Sequence, residues 1–280
     1  HTGLMPVKNL FVMPPKPLFK VSLSNGVSVT VTPAQKLKVF NKDGTYGWKK
    51  AKNLTDNDWV ALKTVYPDNL KQMRLSDYDQ RRMYLNRNIA YILGLLVSDG
   101  WITRDYGKAK HRRLGFCSNE LSVAQRVVDC FKEEFGHEPT KTFTEYTVKL
   151  KNGEIKKNKI FRIRINRKDI NDFLVNELNI PEDFKAATKF IPNKILSSPS
   201  EVIFAFISGL MDGDGSVAKR AASIIYASVS EKLINQLQIL AQHLGIFSQK
   251  YVHKSFDRTS TINVNGIKRK IKGNHPSYFL

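Results

Sequence analysis

Apolar and polar positions along this chain follow two different periods. In the first 65 residues they alternate. Phe19, Val21 and Leu23 precede Asn25-Gly26, and Val27, Val29 and Val31 follow it. A period of two on either side of Asn-Gly predicts a β-hairpin. Leu37 and Val39 ahead of Asp43-Gly44 predict a second. Trp48, Leu54 and Val60 continue a small all-β unit. Residues 66–85 are charged and polar, with Pro67 near the start, and read as a partly helical linker. Beyond residue 85 the period lengthens, and two apolar runs stand out: Ile92-Leu-Gly-Leu-Leu-Val-Ser-Asp99-Gly100 and Ile207-Ser-Gly-Leu-Met-Asp-Gly-Asp214-Gly215. Helices apolar on every face are expected to be buried. Neither run reaches the roughly 20 residues of a membrane span.

Within each run small residues recur four apart, Gly94 with Ser98 and Gly209 with Gly213. That spacing puts them on one helix face and predicts that the two helices pack closely through it. Asp99 and Asp214 then meet at two helix C-termini, which already carry partial negative charge. A cation between them relieves the repulsion, and hard oxygen ligands suit Mg2+. The plainer alternative is that each Asp-Gly only ends a helix in a turn. A calcium loop starting at Asp212 is disfavoured, because its twelfth position is Ser223 rather than Glu.

The flanking pattern repeats. After Asp99 a charged loop carries Lys108, Lys110, Arg112 and Arg113. Ser118 is expected to cap a helix containing Val127, Val128, Phe131 and Phe135, closed by Gly136. A hairpin turned at Asn152-Gly153 follows. In its second strand Phe161, Ile163 and Ile165 alternate with Arg162, Arg164 and Asn166. One face belongs to a core. The other is either a solvated edge or a surface for the major groove, where arginine pairs with guanine and asparagine with adenine. An amphipathic helix of Ile170, Phe173, Leu174 and Leu178 leads to Lys189-Phe-Ile-Pro192, whose proline stiffens the approach. Ser198-Pro199-Ser200-Glu201 predicts a capping box. After Asp214, Ser230 opens a helix of Leu233, Leu237, Leu240 and Leu244 closed by Gly245. Basic residues recur at Lys219, Arg220, Lys254 and Arg258.

Composition narrows the partner. The formal charge is +20, which suits a polyanion, most simply nucleic acid. No lipidation motif or signal peptide supports a membrane. Cys117 and Cys130 form no metal or disulfide pattern and read as buried thiols in a reducing compartment. The chain starts at His1 and is expected to be a fragment or a processed piece.

Two resemblances follow. Asn25-Gly26, Val31-Thr32-Pro33-Ala34-Gln35, Trp48 to Leu54 and Asp58-Trp59-Val60 resemble the Hint (intein splicing) domain. In that family a Thr-x-x-His element assists the first acyl shift. Thr32 matches, but Gln35 replaces the histidine, which implies descent from an intein rather than splicing. The paired helices ending in Asp-Gly, 115 residues apart (214 − 99), in a basic αββαββ pattern resemble the LAGLIDADG (dodecapeptide) homing endonucleases. The resemblance implies an α+β chain organised as a partial Hint-like β domain (1–65), a linker (66–85) and two pseudo-symmetric units (86–195 and 196–280), the second short of its final elements. It implies a monomer with internal pseudo-twofold symmetry, cutting DNA with Mg2+ or Mn2+. Asp99 and Asp214 become the metal-binding acids, and Lys189 assists cleavage. Val97 departs from the motif's first acid, which Asp212 keeps, and no second-unit lysine is visible. RNA maturases and non-cutting regulators of the same fold, or a decayed relic, remain rival expectations.

Overall fold

The computed structural model describes residues 8–12, 14–64, 70–104, 112–149, 153–177, 179–180, 184–218, 223–253, 259–264, 267–272 and 276–280. The first hairpin pairs β1 (Phe19–Ser22) with β2 (Ser28–Val31), and Gly26 takes the positive φ (87°) that its turn requires. β3 (Lys36–Phe40) pairs with β4 (Tyr46–Lys50) across a turn in which Gly44 has φ 84°, and β5 (Trp59–Val60) flanks β3 on its other side. This unit buries little beyond Val39 and Ala51. It rests on the second half of the chain. The Asn25 carbonyl accepts from Lys250 N (3.0 Å) and Gln238 Nε2 (2.8 Å), and the Lys63 carbonyl accepts from Gln242 Nε2 (2.8 Å).

Residues 70–85 form a packed strap. Leu75, Tyr78, Met83 and Leu85 are buried in the main core, and Tyr78 donates to Asp169 Oδ2 (2.6 Å). The charges that suggested a linker lie between these apolar anchors. Asn86 then caps α1 (Arg87–Ser98) by accepting from the Ile89 amide at 3.0 Å.

The first unit continues through β6 (Trp101–Arg104), β7 (Arg112–Ser118), α2 (Leu121–Phe135), β8 (Thr140–Lys149), β9 (Ile155–Ile165) and α3 (Lys168–Glu177). Its antiparallel sheet runs β6-β7-β9-β8. Leu114, Phe116, Ile163 and Ile165 face a core shared with α1, α2 and α3. A four-residue turn, α4 (Asn193–Leu196), leads to α5 (Ser200–Asp214). Then come β10 (Gly215–Ala218), β11 (Ser223–Ser228), α6 (Glu231–His243), β12 (Tyr251–His253), a hairpin of β13 (Thr259–Val264) with β14 (Ile267–Lys272), and β15 (Ser277–Phe279). The second sheet runs β10-β11-β15-β12, and β13 pairs with β14 in a hairpin between β12 and β15. Among the described residues, the strap and α3 have no counterpart in this unit.

Three local expectations need correction. Ser118 does not cap α2; its hydroxyl accepts from the Glu120 amide instead. The capping box at Ser198 does not form, because Pro199 takes the cap position and Ser198 donates back to the Lys194 carbonyl. The second motif helix is not buried on all sides: Phe204 is 48% exposed. Ser230 does cap α6, accepting from the Leu233 amide, and Gly136 ends α2 at φ 59°.

The two motif helices meet through backbone. A methyl group added at Gly94 would overlap the Phe206 carbonyl and stand 2.8 Å from the Leu210 amide nitrogen. One added at Gly209 would overlap the Tyr91 carbonyl and stand 2.9 Å from the Leu95 amide nitrogen. The clashes are reciprocal because 91, 94 and 95 map onto 206, 209 and 210 by the same offset of 115 (206 − 91). Gly94→Ala and Gly209→Ala are each expected to lower stability by about 1–3 kcal/mol through overpacking, read as a lower urea midpoint. Unchanged midpoints would contradict this contact.

Candidate active site and nucleic-acid interface

The close approach fixes where the acids lie. Asp99 follows α1, with its amide bonded to the Leu95 carbonyl, and Asp214 is the last residue of α5. A methyl group added at Gly213 would overlap Ser98 Oγ and lie 3.4 Å from Asp99 Cβ. The ends of the two motifs are therefore side by side. Ser98, buried, donates to the Gly94 carbonyl (3.1 Å) and reaches the Gly209 carbonyl (3.5 Å).

Lys189 joins them. Its ammonium donates to the Ser98 carbonyl, and both acids act on it electrostatically. The proline was expected to hold this lysine, but α6 does more. The Lys189 carbonyl accepts from Ser230 Oγ (2.6 Å), and Ile191, fully buried, donates its amide to Gln236 Oε1 (2.8 Å). Lys232 lies over the Phe190 ring at 4.7 Å.

Asp99 and Asp214 are both solvent-exposed as residues, yet enough protein surrounds each carboxylate to desolvate it in part. Burial raises the pKa of both above the ordinary carboxylate value, and Lys189 pulls each back down. The Asp99 charge is a further raising cause at Asp214. Burial also lowers the Lys189 pKa, opposed by the two acids. Tyr226 is buried on β11 opposite Gly215. Its burial raises the phenol pKa, and so do the charges of Asp214 and Asp99. Pseudo-symmetry places Phe116 opposite Gly100 in the first unit, since Trp101 pairs with Gly115. Among the described residues, the buried phenol that feels the negative field of the pair is Tyr226 of the second unit.

The surface beside the acids is the outer face of the first sheet. Arg162 and Arg164 lie on it, paired in register with Thr142 and Thr140, and with Cys117 and Gly115 on the other side. Arg162 donates to Thr144 Oγ1 (2.6 Å), and Asn166 donates to Thr140 Oγ1 (3.1 Å). Arg113 shares the face and is exposed. The Trp101 indole lies over Gly115, where any side chain would clash. Cys117 is only half-buried, not sealed in the core as its apolar neighbours suggested; Cys130 is buried. The second sheet differs, because none of its four strands contains Lys or Arg. Lys108, Lys110, Lys219, Arg220, Lys254 and Arg258 lie outside the described residues, and so does the side chain of Arg112. Thr32 and Gln35 sit in the β2–β3 turn, where the Gln35 amide donates to the Lys36 carbonyl (3.0 Å).

Sequence reasoning missed one buried polar link. Tyr91, fully buried on α1, donates to Asp212 Oδ2 at 2.7 Å, and Arg126 of α2 stacks 3.6 Å above the Tyr91 ring and reaches the same carboxylate (3.7 Å). The offset of 115 maps Tyr91 onto Phe206 and Val97 onto Asp212. One side of the helix pair thus has Tyr with Asp, and the other has Phe with Val. Where Val97 stands in place of the acid, the aromatic position matched to Tyr91 is Phe206, which carries no hydroxyl. The signal was present in sequence as the matched pair of replacements.

Several known proteins match parts of this chain. Residues 201–273 match the model of a LAGLIDADG-like domain. The chain is 27% identical over 199 residues to the uncharacterized protein MJ1054 of Methanocaldococcus jannaschii, covering 67% of this chain and 20% of that protein. It is 24% identical over 256 residues to the ATP-dependent DNA helicase Hel308 of the same organism, covering 90% and 18%. The chain therefore spans about a fifth of the length of these curated relatives. Among solved structures, mesophilic variants of the homing endonuclease I-DmoI align at a TM-score of 0.42 with 16% identity, over 70% of this chain and 87% of that one. The homing endonuclease I-WcaI bound to its DNA recognition sequence aligns at 0.39 with 14% identity, over 70% and 76%.

Two outcomes are expected. Removing only the Asp212 carboxylate (Asp212→Val) strands the buried Tyr91 hydroxyl and is expected to cost about 1–3 kcal/mol. Tyr91→Phe with Asp212→Val recreates the opposite side and should recover most of that loss in a double-mutant cycle; simple additivity would refute the pairing. The second outcome concerns pH. A carboxylate with a raised folded pKa favours the fold below its unfolded pKa, and that contribution is lost as pH rises through the raised value. At neutral pH and without metal, the acids therefore weigh against folding. Asp99→Asn and Asp214→Asn should melt higher than the parent in EDTA, while Mg2+ should stabilise the parent alone. Lower melting of both variants in EDTA would contradict the assigned repulsion.

Proposed function

We propose that the chain is a LAGLIDADG homing endonuclease of intein origin that makes a metal-dependent, staggered double-strand break at a specific DNA site. The observation that carries this reading is the convergence of Asp99, Asp214 and Lys189 where the two motif helices end, beside a sheet face bearing Arg113, Arg162 and Arg164.

The donor set fits Mg2+ or Mn2+. Among the described residues no group of three or more His, Cys, Asp or Glu forms a cage. Two carboxylates open to solvent suit an ion that keeps waters and takes substrate phosphate oxygens. When bound, such an ion polarises the phosphoryl oxygen and eases ionisation of an attacking water. Asp99 and Asp214 would hold it, and a cation there would offset the cost that partial burial imposes on their charges. Lys189, fixed through Ser230 and Gln236, offsets charge building on the phosphate in the transition state. Arg162, Arg164 and Asn166 position and read the duplex across the groove.

The intein origin draws support from the relatives' breadth. Most of this chain aligns with small shares of a DNA helicase (18%), of one component of an A-type ATP synthase (22%) and of one component of a DNA gyrase (39%). A segment common to such unlike proteins is what an inserted element produces. Splicing is not assigned to this chain, because the Gln35 amide cannot transfer protons.

Cleavage of supercoiled plasmid bearing the target, with Mg2+, tests the reading. The parent should give nicked and then linear product, the nick persisting because only Lys189 among the described lysines serves the pair. Asp99→Asn and Asp214→Asn should each slow cutting by about 100-fold or more, and Lys189→Met by about 10-fold or more. Full cutting in both Asp variants would remove the assignment. Salt-sensitive binding with no cutting by the parent would favour a non-cleaving regulator.

A further inference from the structure

The three-stranded sheet of the N-terminal unit has two unlike faces. Leu37 and Val39 point inward from β3. Lys36, Lys38 and Phe40 point to solvent. Register places their cross-strand partners on the same outer face: Lys50 beside Lys36, Trp48 beside Lys38, and Tyr46 beside Phe40. Trp59 of β5 flanks Phe40 on its other side. All of these side chains are exposed, Trp48 at 68% and Trp59 at 76%. The result is a row of three rings across one end of the sheet, ammonium groups at the other end, and Trp48 with Lys38 between. Phe40 and Tyr46 meet edge to face at 5.4 Å, and Lys38 lies 4.7 Å above the Tyr46 ring. None of the three strands contains an acid.

We propose that this face binds single-stranded nucleic acid, the bases stacking on the rings and the phosphates meeting the lysines. The chemistry selects this partner. An apolar protein segment laid over the face would strip water from three ammonium groups without pairing them, which is costly. A duplex hides its base faces inside the stack and would leave the rings unused. A single strand offers planar bases and phosphates together, and stacking on exposed aromatics beside cations is its usual mode of capture. Same-face positions along a strand recur about every 7 Å, and neighbouring strands lie about 4.8 Å apart, so successive bases can reach successive rings. This site is separate from the Asp99–Asp214 pair and does not depend on cleavage.

Fluorescence anisotropy of the full chain with labelled dT12, U12 and a 12-base-pair duplex, in EDTA, tests it. The parent should bind dT12. Trp48→Ala and Trp59→Ala, whose side chains support no core, should each weaken that binding about tenfold. Lys36→Gln with Lys50→Gln should flatten its salt dependence. Arg162→Ala with Arg164→Ala should weaken duplex binding and leave dT12 binding in place. Equal binding of U12 would show that the face reads stacking irrespective of the sugar, as proposed. Unchanged dT12 affinity in both tryptophan variants, or dT12 affinity lost only with the arginines, would overturn it.

Discussion

Everything in the main body of the molecule follows from two peptide backbones lying closer than side chains normally allow. Gly94 and Gly209 face each other's helix, and a single methyl group on either would collide with main-chain atoms. Main chain cannot move aside as a flexible side chain can, so the spacing is enforced. It brings the C-terminal ends of α1 and α5 together, and with them two dipole ends and two carboxylates. Burial then raises the acids' pKa values, and Lys189 is drawn into the same field. The two acids are thereby held side by side by packing elsewhere.

The symmetry of this arrangement is approximate in an informative way. Positions 91, 94, 95 and 97 of α1 correspond one to one with 206, 209, 210 and 212 of α5. The backbone contact is the same in both halves because geometry demands glycine in each. The flanking side chains differ in step: a hydroxyl faces a carboxylate on one side, and two hydrocarbons stand in those positions on the other. The sheets differ further. The first carries its arginines on the strands, whereas the four strands of the second carry none. In the second half Lys268, Arg269, Lys270 and Lys272 lie on β14 instead, outside that sheet.

Much of this was legible in the residues. The small-residue spacing gave the helix contact, and the Asp-Gly endings gave the acids, because both depend only on local periodicity. The alternation in Phe161–Asn166 gave the arginine face for the same reason. The strap at 70–85 was not legible, since its four buried residues are scattered among charges with no period. The hold on Lys189 was hidden too: Gln236 lies 45 residues beyond Ile191, and nothing local marks it as a ligand for that residue's backbone. Caps misled as well: Pro199 took the place of Ser198, and Glu120 rather than Ser118 precedes α2.

Lys189 belongs by sequence to the first half, yet its backbone hangs from α6 of the second and its ammonium touches the end of α1. It works as a latch thrown across the seam. Any slippage of one half against the other would carry the ammonium away from the Ser98 carbonyl before the halves parted. The grouping of Lys189 with Asp99 and Asp214 is thus interlocked with the quality of the docking, and a loosened molecule would lose that grouping while still folded.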